Sequence, residues 1–138
     1  MRILFSAAVA ICALLFGLPA GAQESKPYVI GEENVVVGEA FCKDKASIKK
    51  VAAAFAKSSE EGLKVERETC TVPGRVFVIM GQPVVHLFQI TVTLIRVVET
   101  VKPPDDKRRV TFIEVTAGNG ATFFMTTYEE VREPGLTL

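Results

Sequence analysis

The feature that most restricts how this chain folds is a change of hydrophobic period at Pro73-Gly74. Ahead of it, Ile48, Val51, Ala52 and Phe55 recur at i, i+3, i+4 and i+7, while Lys45, Lys49, Lys50 and Lys57 lie mostly off that stripe. This is the pattern of an amphipathic helix, and Asp44 stands where an N-cap is needed. Beyond it, apolar residues recur at every second position, as they do in strands with one face buried. A chain that spends one period and then the other segregates helix from sheet. The expected fold class is α+β: one small domain with a main helix packed on an antiparallel sheet of four to five strands.

The strands follow from that period. Val35 to Phe41 is a short β-branched run ending at Cys42 and fits a first strand. After Gly74 come RVFVIM, a break at Gly81-Gln82-Pro83, and then VVHLFQITVTLIRVVETV, one long strand or two joined by a bulge. Within it Val84, Phe88, Ile90, Val92, Leu94 and Val98 share a face opposite Gln89, Thr91 and Thr93. Pro103 to Asp106 is a turn, RRVTFIEVT a strand, Gly118-Asn119-Gly120 a hairpin signal, and ATFFMTTYEEV the last strand. The expected sheet is a four-stranded meander preceded by a strand and the helix. Ser58, Ser59 and Gly62 mark the helix end, and Leu63 to Thr71 is a polar connection. Val76 to Ile95 is apolar enough to suggest a membrane span, but it contains Gln82, Pro83, His86, Gln89, Thr91 and Thr93 and has the period of a strand.

Domain organisation is set by the N-terminus. Met1-Arg2 precede an apolar run from Ile3 to Leu18, and Pro19 and Ala20-Gly21-Ala22 follow. This is the layout of a cleavable secretory signal, which assigns residues 1–22 to a signal peptide, 23–33 to a flexible leader and 34–138 to the domain. The expected localisation is exported, periplasmic or secreted. Cys12 lies inside the apolar run, without small residues ahead of it for lipidation. The mature chain keeps Cys42 and Cys70, an even pair in an oxidising compartment, and a single disulfide between them is expected.

Charge and motif exclude more than they assign. Lysine plus arginine and aspartate plus glutamate both total 16. No net field therefore draws the domain to nucleic acid, and a membrane partner is not expected after signal cleavage. His86 is the single histidine and its place on the apolar face of the long run suggests burial. It has no HxxxH, HExxH or CxxC companion, so no metal and no cofactor are expected. Ser47, Ser58 and Ser59 lack a nucleophile elbow. Glu60-Glu61, Asp105-Asp106 and Glu129-Glu130 are adjacent pairs of solvated surface, since neighbours on a strand point to opposite faces.

Two features suit a partner. Lys102, Lys107, Arg108 and Arg109 gather around one turn, and Phe123, Phe124 and Tyr128 fall on both faces of the last strand. Lys107, Arg108, Arg109 and Tyr128 are the candidate contacts, the basic residues for an anionic partner and the aromatic ring as an exposed contact. The functional expectation is a non-catalytic binding, accessory or inhibitor module for a macromolecule of the envelope or exterior. The alternatives are an envelope enzyme, favoured if His86 or Glu114 converges with a second polar group in an apolar pocket, and a membrane-associated protein spanning near 76–95.

Overall fold

The computed structural model describes residues 27–134, so the signal segment and the start of the leader lie outside the described residues. Over the described residues the fold is mixed α+β, with a five-stranded antiparallel sheet, two helices and two smaller pairs of strands. Order begins before Asn34. Strand β1 (Tyr28–Val29) pairs in parallel with a short final strand β9 (Val131–Arg132), and Ile30 is buried in the core.

The apolar run expected as one first strand is two. β2 (Glu33–Val37) and β3 (Ala40–Cys42) are separated by Gly38-Glu39, and they lie on opposite edges of the main sheet. The long strand β6 (Gln89–Val101), β7 (Val110–Ala117) and β8 (Thr122–Thr127) fill the interior, in the order β2-β6-β7-β8-β3. A flat sheet of five strands holds its edges about 19 Å apart, whereas the three Cα steps from Val37 to Ala40 reach about 11 Å at most. The sheet must therefore curl until its edges meet at the bend. Gly38, at φ 77°, supplies a left-handed turn that a side chain disfavours. Register shifts after Leu94 and Val97 bend β6 along the same curve.

Curling creates two apolar layers. Inside, β2, β6, β7 and β8 contribute Val36, Val92, Leu94, Ile113, Val115 and Met125, with Phe41 of β3 packed against them. Outside, Phe112 and Phe124 meet helix α1 (Lys45–Lys57) through Ile48, Val51, Ala52 and Phe55, and the Phe55 and Phe112 ring centroids lie 6.0 Å apart. The capping expectation holds: the Ser47 N–H donates to Asp44 Oδ1 at 2.7 Å.

The polar connection expected after α1 is a second helix, α2 (Ser59–Thr69). Ser58 ends α1 and caps α2, its hydroxyl accepting from the Glu61 N–H at 3.1 Å, and Asp105 accepts from the Ser59 N–H at 2.8 Å. Gly62 packs on the Phe55 ring, which holds the two helices together. The disulfide joins Cys42, at the end of β3, to Cys70, which caps the C-terminus of α2.

The expected four-stranded meander is three strands, β6-β7-β8. RVFVIM and the run after it form a separate hairpin, β4 (Gly74–Ile79) and β5 (Gln82–Leu87), which pair only with each other. The stretch 76–95 is therefore most of a hairpin plus the first half of β6. Among the described residues no helix is long and apolar enough to cross a membrane.

Candidate functional site: an apolar arm beside a cavity

The hairpin projects from the domain as an arm. All of β4 and β5 is exposed, although the sequence from Val76 to Val85 contains no charged residue. Met80 is 97% exposed, Val78 75%, and Val76 and Val85 63% each. The cross-strand register places Val76 opposite Val85 and Val78 opposite Pro83 on one face, and Phe77 opposite Val84 and Ile79 opposite Gln82 on the other. Both faces are apolar. Soluble monomers seldom leave contiguous apolar surface of this kind uncovered.

The arm's tip carries a second cost. Met80 and Gly81 form the two-residue turn with φ of 52° and 78°. Asn, Asp or Gly usually fills such a turn, because positive φ is unfavourable for a residue with a bulky side chain. Here a methionine is held in that conformation with its side chain in water, and no contact within the domain compensates it.

At its root the arm is fixed. The Phe88 N–H donates to the Pro73 carbonyl at 3.1 Å, and Leu87 lies against Gly38 at the bend of the sheet. Arg75 and His86 face each other across the strands, and the Arg75 guanidinium stands 5.9 Å from the Phe77 ring centre and 5.8 Å from that of Phe88. The expectation of a buried His86 is corrected. It is exposed on the arm, because its strand leaves the sheet instead of joining it.

Beside this root lies a cavity of about 410 Å³. Phe41, Ile90, Val92, Ala117 and Phe123 line it from β3, β6, β7 and β8, and Thr69, Thr71, Pro73 and Lys43 form its rim. It is the open end of the curled sheet, since Val92 belongs to both the cavity wall and the inner core. Size and lining match a site for a small apolar group with a few polar contacts at the edge.

Among the residues singled out from sequence, Arg108 and Tyr128 do come together. The guanidinium lies 4.1 Å from the Tyr128 ring centre and pairs with Asp106 at 3.1 Å. The Arg108 side chain and backbone N–H hold the Asp106 carboxyl down to about 2. Arg108 is thus engaged within its own turn. Arg109 shares a shallow cleft with Arg108 and Tyr128, but Glu129 and Glu130 line it too, so the cleft has no single sign. Lys107 is exposed and makes no ion pair among the described residues.

A group of carboxyls went unseen in the sequence. Burial first, and then the charge of Glu39, push the Glu66 carboxyl up to about 7. Burial also raises Glu39, and burial with Glu39 and Glu129 pushes the Tyr28 hydroxyl up to about 12. Glu39 Oε2 and the buried Thr126 Oγ1 have no hydrogen-bond partner among the described residues. These residues come from the bend, α2, β1 and β8, and no spacing in the chain announces their meeting. None of Glu39, Glu66 and Tyr28 lines the apolar cavity. Glu114 is paired with Arg96 at 2.8 Å, and neither it nor His86 is among the described residues that line the apolar cavity.

Compared with known protein families, curated proteins and solved structures, the chain matches none.

Proposed function

We propose that this chain is an exported, non-catalytic binding module whose recognition element is the arm, with the cavity at its root as an adjoining subsite. The observation that carries this reading is the exposure of Val76, Val78, Met80 and Val85 on a hairpin that the domain core does not use. An isolated hairpin of two strands is marginal in water, and an apolar one gains most from leaving it. Contact surfaces differ from ordinary surface in this way, with apolar and aromatic side chains gathered and charges kept to the rim. The export signal in residues 1–22 and the disulfide fit an extracytoplasmic setting for that contact.

The test is site-specific photocrosslinking of the full chain in the cell that exports it. A photoreactive residue at Val78 traps a defined adduct, whereas one at Lys50 on the outer face of α1 does not. Equal labelling from both positions, or none from Val78, removes the arm from this role.

A further inference from the structure

We infer that the arm docks on a lipid bilayer, entering its interfacial layer tip first with Arg75 and His86 at the level of the headgroups. This rests on the reading of the arm as the recognition element and names its partner. The first argument is coverage. A protein surface laid against one face of a two-stranded hairpin leaves the other face in water, and here both faces and the tip are apolar. Only a medium that surrounds the arm removes all of it from water at once.

The second argument is length. Four residues on each strand separate Arg75 and His86 from the turn, about 13 Å at the rise of a strand. That exceeds the about 5–10 Å to which interfacial elements sink, and falls short of the about 15 Å half-thickness of a bilayer's hydrocarbon. The tip can be immersed without carrying a charge into hydrocarbon. The root then brings Arg75, His86, Phe77 and Phe88 together where cationic and aromatic side chains favour the membrane–water boundary.

The backbone limits the depth. A hairpin alone has two unpaired edges, and their N–H and C=O groups are costly to place in hydrocarbon. The turn closes on the Ile79–Gln82 pair, so the alternation of hydrogen-bonded pairs turns the nitrogen of Pro83 outward, where it has no proton to leave unsatisfied. β4 keeps its outward donors. A single arm therefore stays in the hydrated interface and does not span. The chain's balance of charge supplies no electrostatic attraction, so the attachment is apolar and insensitive to salt.

The chain contains no tryptophan, so Met80→Trp installs a single reporter at the tip, with Lys50→Trp as its control. The mature chain is titrated with phosphatidylcholine vesicles, with and without a third of phosphatidylglycerol, and wild type is followed in parallel by co-sedimentation. The expected result is a blue shift and quenching by acyl chains brominated near the headgroup for Met80→Trp alone, in both lipids and at high salt. Val78→Glu with Val85→Glu lowers partitioning at least tenfold while thermal unfolding stays unchanged. Absence of vesicle binding by wild type overturns the inference. If arm-dependent self-association in sedimentation, or a protein adduct from Val78, accompanies that absence, the arm remains a recognition element with a different partner. If neither does, both readings fall.

Discussion

Gly62 is the point at which one missing methyl group decides how two helices meet. It is buried in the first turns of α2, and a methyl group there would overlap the Phe55 ring, itself fully buried between α1 and the sheet. Alanine ordinarily improves a helix over glycine by about 1 kcal/mol, whereas overpacking a core costs about 1–3 kcal/mol. Because Phe55 is also enclosed by Phe112 and Tyr128, the second effect wins. Gly62→Ala is expected to lower stability by up to about 2 kcal/mol in urea unfolding, and an increase would show that the ring moves aside freely. Glu66 is the other residue whose surroundings change its chemistry. Its carboxyl titrates near 7 in the fold, above its ordinary 4.5, so the fold favours the neutral form. That contribution is complete below about pH 4.5 and is lost as pH rises through 7. The melting temperature of the domain is expected to fall by a few degrees between pH 5 and 8, and Glu66→Gln to flatten that slope. A slope unchanged in the variant would assign it to another group.

Among the elements, legibility in the sequence followed local physics. α1 was legible because a capping aspartate and an unbroken stripe at Ile48, Val51, Ala52 and Phe55 act within one segment. α2 carries a usable signal that its polar surface conceals: Ser58 and Glu61 stand at capping-box spacing, and the Glu61 backbone N–H donates to the Ser58 hydroxyl. Its single buried residue is Gly62, so no apolar stripe announces it. The hairpin at Gly118-Asn119-Gly120 was legible from turn chemistry, and the Ala117 carbonyl accepts from the Gly120 N–H at 2.9 Å. The arm was legible as strands but not as an arm, since period two states that side chains alternate and leaves the pairing partner open. The same gap misplaced His86. The pairing of Cys42 with Cys70 followed from their number, whereas the elements they join depended on α2. Closing 28 positions of chain, the bond stabilises by about 3–4 kcal/mol on the chain-entropy account. Replacing both cysteines by serine should remove about that much in denaturant titration, with the packing of α2 on α1 loosening first in hydrogen exchange. A loss below about 1 kcal/mol would mean that helix packing alone fixes α2.

At the scale of the whole molecule, the domain divides into a body that satisfies itself and an arm that does not. The body closes because Gly38 lets consecutive strands occupy opposite edges of one sheet, a long-range consequence that no window of the sequence displays. Neither apolar layer includes a side chain from β4 or β5, and the tie between Phe88 and Pro73 lies below the arm. The arm should therefore be removable. Excising Val76 to Val85 and joining Arg75 to His86 through Asn-Gly closes a two-residue turn on a hydrogen-bonded pair, retains the paired root and removes the whole uncharged stretch. Because the excised side chains are exposed, their loss removes little buried area from the fold, and a surface change of this kind shifts stability by about 0.5 kcal/mol. The melting temperature is expected to stay within about 3 °C of the parent, while solubility rises as the apolar surface disappears. If the shortened chain instead melts more than about 10 °C lower, the arm is a structural part of the domain, and its exposed valines and Met80 would have to be explained by the fold and not by what they contact.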